Sequence, residues 1–258
     1  MNNLWHFLHH KLFSDVFILL KMKTQKKPIM KKLLNLLIIG AISLGVSHAQ
    51  SREERSLDNF TGIGFGVAGT LVLEQGNTFS VVLEGDDDYI QEIETTVQGD
   101  KLIISHDRWT SFARSKRNLT VYVTMPEVEE LNVSGSGNII ADGSIKSDDL
   151  DMSVSGSGNI KLADLNTESV DCSISGSGSL ELKGSAIDGE LSISGSGKYR
   201  GDSFRLSTLD VNISGSGTCS TMVDDKLVAR VSGSGDVYYS GNPGVDARIS
   251  GSGKVRKN

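Results

Sequence analysis

The chain has 258 residues, 38% hydrophobic and 22% charged, with 29 Gly, 3 Pro, 2 Cys and a formal charge of −6. Those proportions exclude a collagen, a disulfide-stapled mini-protein and a disordered tail, and no 18-residue apolar run recurs as in a multi-pass membrane protein. Aromatic residues are only 6%, which beside abundant Gly favours regular all-β structure with tight turns over a helical enzyme.

Residues 1–49 read as a leader. Lys31 and Lys32 precede an apolar stretch over residues 33–46, and Ser47-His48-Ala49 is a small-x-small cleavage site. Met30 is the expected start, cleavage is expected after Ala49, and no Cys follows to carry a lipid. The leader holds 7 of the 26 Lys and Arg and 1 of the 32 Asp and Glu, so the remainder has 19 against 31, a charge of −12. That balance excludes nucleic acid as a partner, and the mature chain has no integral membrane segment. It points to an exported protein of the periplasm, outer-membrane surface or extracellular space. A single remaining histidine, His106, leaves little from which to build a His-based triad or a conventional zinc site.

Residues 50–126 are strand-like. Ile63, Phe65 and Val67 alternate, as do Leu71 and Leu73, then Phe79, Val81 and Leu83, then Leu102 and Ile104, then Leu119, Val121, Val123 and Met125. Gln75-Gly76-Asn77, Gly85-Asp86-Asp87-Asp88 and Gln98-Gly99-Asp100 are expected turns. Gly64-Phe-Gly66-Val-Ala-Gly69 matches G-x-G-x-x-G, but the sequence after it reads as strand where a dinucleotide site needs a helix. His106, Asp107, Arg108 and Trp109, followed by Arg114, Lys116 and Arg117, are expected in a long exposed loop. The Met125-Pro126 step closes this region, which is expected to be a degenerate start of the solenoid that caps its N-terminal end, with a separate small β-sandwich as the rival.

Over residues 127–258, Ser-Gly-Ser-Gly occurs seven times, starting at Ser134, Ser155, Ser175, Ser194, Ser214, Ser232 and Ser250. Spacings of 21, 20, 19, 20, 18 and 18 are periodic, unlike a flexible Gly/Ser linker. Apolar residues alternate before each motif and mostly return in phase after it, as in Leu131, Val133 and Ile139. Alternation marks a half-buried strand and a fixed period near 20 marks a solenoid. The expected fold is therefore an all-β parallel β-solenoid with coils of about 20 residues, stacked about 4.8 Å apart. In an unbroken strand, parity sends both Gly of the motif inward and both Ser outward, so the seven first serines form a surface ladder. The alternative is a corner at Gly-Ser-Gly with positive φ. The rest of each coil reads as short polar turns, with Asp142-Gly143, Asp188-Gly189 and Asn242-Pro243-Gly244 as turn formers. At the end, Lys254, Arg256 and Lys257 suit a guarded edge strand.

Four residues before each motif stand Glu130, Asp151, Asp171, Glu190, Asp210, Val228 and Asp246, six of the seven acidic and all at outward parity. Stacking would hold like charges roughly 5 Å apart. This is a solvated stripe or, on the sharper reading, a row able to bind calcium or a cationic surface; no other cofactor is expected. Cys172 and Cys219 have inward parity but belong to coils two apart, too far for a disulfide, and are expected as buried free thiols.

The Leu57-Asp-Asn-Phe-Thr-Gly-Ile63 opening, the Gln75-Gly76 turn, and Val123-Thr-Met-Pro126 leading into repeated Val-Ser-Gly-Ser-Gly resemble the auto-transporter adhesin, head GIN domain family. The resemblance spans the mature chain. It implies a secreted or envelope β-solenoid with no catalytic residues to transfer. It also implies a non-catalytic, adhesin-like binding or structural module, with a surface polysaccharide or protein as partner. Two rivals are a β-helix polysaccharide-active enzyme and a hydroxyl array that binds water or ice. Short connections and the lack of a distinct acid–base carboxylate pair count against the first. Serine lacks the methyl group that suits the second.

Overall fold

The structure, a computed structural model, describes residues 51–106 and 118–258. The leader, and Asp107, Arg108, Trp109, Arg114, Lys116 and Arg117, lie outside the described residues.

Strands β1 (Ser51–Arg55), β2 (Gly62–Phe65), β3 (Thr70–Gln75) and β4 (Ser80–Gly85) precede a one-turn helix α1 (Asp87–Ile90). Then come β5 (Ile93–Gln98), β6 (Lys101–His106) and β7 (Leu119–Met125). The repeats form β8 (Glu130–Gly135), β9 (Asn138–Lys146), β10 (Asp149–Gly156), β11 (Asn159–Asn166) and β12 (Ser169–Gly176). They continue as β13 (Ser179–Gly195), β14 (Lys198–Gly215), β15 (Thr218–Gly233), β16 (Asp236–Ser240), β17 (Gly244–Gly251) and β18 (Lys254–Lys257).

The repeat strands stack in parallel and in register, forming the β-solenoid that the period implies. Val133, Val154, Ile174, Ile193, Ile213 and Val231, each one residue before its motif, lie in one interior column and are almost wholly buried. The sheet runs through Pro126: β2 pairs in parallel with β8, and β3 with β9. Above them β1, β4 and β7 form an antiparallel cap, and β5 folds back on β6 through a turn with Gly99 at φ 65°. Edge strand β1 turns Glu53 and Arg55 over the core face, opposite buried Leu83 and Val81, and the two ion-pair at 3.1 Å. Inward charges of this kind discourage further strand addition.

Three sequence readings need correction. The first Gly of the motif does not face inward: from Gly135 to Gly251 it has φ between 98° and 129° and forms the corner. The middle Ser amide bonds across that corner to the preceding coil, as from Ser177 to the Gly156 carbonyl at 2.8 Å. Only the second Gly, such as Gly158 or Gly178, is buried. Second, Asp142-Gly143 and Asp188-Gly189 lie within β9 and β13, not in turns. That part of the coil is a further strand wall, and Ile145, Leu165, Ala186, Leu206 and Val223 supply its buried face. Their apolar content is sparse, so alternation there was easy to read as loop. Third, Asp87 and Asp88 open α1 where a turn was expected.

Gly64 to Gly69 runs from β2 towards β3, so no helix follows the G-x-G-x-x-G match. Cys172 and Cys219 are free and buried, as expected. No described helix is long and apolar enough to cross a membrane.

Candidate binding face

The strand segments that enter each Gly-Ser-Gly corner share one outer face. Period-two alternation sends every second residue outward, and parallel register aligns those residues into three columns along the solenoid. The first serines form one column: Ser134, Ser155, Ser175, Ser194, Ser214, Ser232 and Ser250 are neighbours on successive strands, and all are exposed. The acidic positions form another, with Glu130, Asp151, Asp171, Glu190 and Asp210 stacked in turn, then Val228 and Asp246.

Between them runs a column that the sequence reading did not single out: Asn132, Ser153, Ser173, Ser192, Asn212, Arg230 and Arg248. Its signal was present, since the position two residues before every motif is polar. Mixed residue types hid it beside the uniform acids and serines. Ser153 donates to Asn132 across coils, and Asn132 in turn donates to Glu130.

This middle column changes the electrostatics expected of the acids. Arg230 places Nη1 2.7 and 2.8 Å from the two carboxylate oxygens of Asp210. Lys101 reaches Glu130 at 2.5 Å, and Arg248 lies 3.8 Å from Asp246. The row is therefore compensated at both ends, and uniform repulsion along it does not hold. Like charge concentrates at Asp151, Asp171 and Glu190. Partial burial, then the carboxylates of Asp171, Glu130 and Asp149, raise the Asp151 pKa above its ordinary value. Partial burial, then Glu190 and Asp149, do the same to Asp171. Among the described residues no group of three or more His, Cys, Asp and Glu side chains is placed to hold a metal ion.

An open trough of about 540 Å³ crosses the last five coils. Ser175, Ser194, Ser214, Ser232 and Ser250 line one side, and Ser173, Ser192, Asn212, Arg230 and Arg248 the other. Ile174, Ile193, Ile213, Val231 and Ile249, which stand between the two columns in sequence, also line it. A second depression of about 540 Å³ runs along the acidic half, from Glu130 to Glu190. His106, expected in the exposed loop, is instead the last residue of β6 and half-buried, its ring against Tyr89 with a centroid separation of 5.5 Å.

Stacked parallel coils carrying regular polar columns define the class, a repeat-built β-solenoid. The chain belongs to the family described as "putative auto-transporter adhesin, head GIN domain", which matches residues 59–243. Solved structures agree on the fold. A "putative adhesin" from Bacteroides fragilis has TM-score 0.78 and 21% identity, covering 82% of this chain and 98% of that one. A "putative lipid binding protein" from Parabacteroides distasonis has TM-score 0.68 and 22% identity, with coverage of 82% and 98%. A "putative adhesin" from Parabacteroides merdae has TM-score 0.64 and 21% identity, with coverage of 82% and 97%. No curated protein matches the chain.

Proposed function

We propose that this is an exported, non-catalytic adhesin-like module that binds a linear surface polysaccharide along the outer face. The observation that carries this reading is the trough over five coils, lined on both sides by hydroxyl, amide and guanidinium groups. Coil stacking repeats those groups about every 4.8 Å, which suits a polymer that repeats its own hydroxyls along its length. A shallow site of this kind gains affinity from many weak contacts, and it lacks the enclosing walls with which an enzyme excludes water. The family and the Bacteroides fragilis and Parabacteroides merdae structures are described as adhesins, which is consistent with binding. Export rests on the leader, and an intact mass beginning at Gln50 is its expected signature.

A glycan array probed with the protein, and with Ser194→Tyr and Ser214→Tyr variants, tests the reading. Both serines are exposed, so the substitutions block the trough while leaving the core in place. The expected result is binding to a class of linear glycan that both variants lose. Binding of no glycan, or undiminished binding by both variants, would overturn it. Release of reducing ends from a bound glycan would replace it with the enzyme reading.

A further inference from the structure

The two ends of the solenoid are built differently. At the first end, antiparallel strands and the inward Glu53–Arg55 pair cover the core. At the other, among the described residues, β17 pairs only with β15, and its far edge is unpaired. Its inward column remains apolar. Val245 and Ile249 are 41% and 44% exposed, whereas Leu227 and Val231 beneath them are buried.

The sequence of that edge is complementary to itself. Val245-Asp246-Ala247-Arg248-Ile249 reads apolar, acidic, small, basic, apolar. Antiparallel pairing with its own copy, centred on Ala247, sets Asp246 opposite Arg248 of the second copy, and the reverse. The same register sets Val245 opposite Ile249 on the inner face. Opposite charges and apolar residues facing each other across an antiparallel pair are the contacts that stabilise a sheet. Within one chain Arg248 and Asp246 meet only at 3.8 Å, and their side chains are 75% and 57% exposed, so both remain accessible. On β18, Lys254, Arg256 and Lys257 offer no such match, because self-pairing would bring like charges together.

We propose that a second copy of this chain docks on β17, antiparallel and two-fold symmetric about Ala247, and continues the outer sheet from one protomer into the next. The symmetry closes the assembly at two, because each protomer uses its one open β17 edge. A head-to-tail stack would instead set β17 against β5, the strand at the other edge of the same sheet.

Sedimentation velocity on the protein from about 1 to 300 μM tests this, a range wide enough to reveal a modest interface. The expected result is a concentration-dependent monomer–dimer equilibrium with no larger species. Arg248→Asp places Asp opposite Asp246 of the copy in two symmetric positions, and should weaken the dimer about tenfold or more. Asp246→Arg should do the same. Combining Asp246→Arg with Arg248→Asp restores opposite charges in every pair and should return the dimer to near the parent strength. These side chains are exposed, so thermal melting should confirm that all variants fold. A parent that stays monomeric throughout, growth beyond the dimer, or a dimer indifferent to the single reversals would each overturn the proposal. So would a failure of the double reversal to restore what the single reversals lose.

Discussion

Gly176, the corner residue of a middle coil, offers the sharpest test of the stacking geometry. Its φ is 123°, where an L side chain is strained, and a Cβ there would lie 2.5 Å from the Gly156 carbonyl oxygen. That oxygen already accepts the Ser177 amide at 2.8 Å. The obstacle is backbone, so no rotamer change relieves it. Strain at such a φ costs about 1–3 kcal/mol, and overpacking about 1–3 kcal/mol more, so Gly176→Ala should lose about 2–6 kcal/mol in all. Against a typical domain stability of about 5–15 kcal/mol that is a large fraction. Gly178→Ala isolates the packing part: its Cβ would stand 2.4 Å from both the Gly158 oxygen and the Val154 Cγ1. It should cost about 1–3 kcal/mol. Ser175→Val, one residue before the corner on the exposed face, should stay within about 0.5 kcal/mol. Urea unfolding followed by circular dichroism measures all three through the midpoint and slope. If Gly176→Ala destabilises no more than Ser175→Val, the corner is not held by the carbonyl ladder, and the reasoning fails.

The raised carboxyls give a pH dependence. Because Asp151 and Asp171 have folded pKa values above their unfolded ones, their contribution is most favourable below the unfolded value near 3.8 and is lost as pH rises through the folded values. Asp171→Asn should therefore raise the melting temperature at pH 7, and the gain over the parent should shrink as the pH falls into the carboxylate range. A variant less stable than the parent at pH 7 would refute the crowding at Asp171. Calcium should raise the parent's melting temperature no more than sodium at equal ionic strength, since the described carboxylates form a row and not a cage; a calcium-specific rise would show that a cation is held. Burial pushes both thiol pKa values far above the ordinary range, so Cys172 and Cys219 should resist a thiol reagent in the native protein and both react in denaturant, as counted by mass. Labelling of either cysteine in the folded state would contradict their placement in the core.

Much of the architecture was legible because the repeat restates it seven times. Leu131, Val133 and Ile139, and their counterparts in each coil, repeat one inward pattern, and a period near 20 admits little except stacked coils. The Ser134-to-Ser250 ladder and the Glu130-to-Asp246 column can be found by counting, since parallel stacking places equal positions side by side. The corner was not decidable by counting. Ser-Gly-Ser-Gly fits an alternating strand as well as a bend, and the choice depends on the carbonyl of the coil below, such as Gly156 beneath Ser177. Nor could residue types alone reveal the further wall, because its sparse apolar residues become a core only when they stack, as Ile145 does with Leu165, and Ala186 with Leu206 and Val223. The charge balance of the face was likewise a tertiary outcome. Arg230 lies 20 residues from Asp210, and Lys101 lies 29 from Glu130. Coil stacking alone brings each cation against its acid, leaving Asp151, Asp171 and Glu190 as the uncompensated centre.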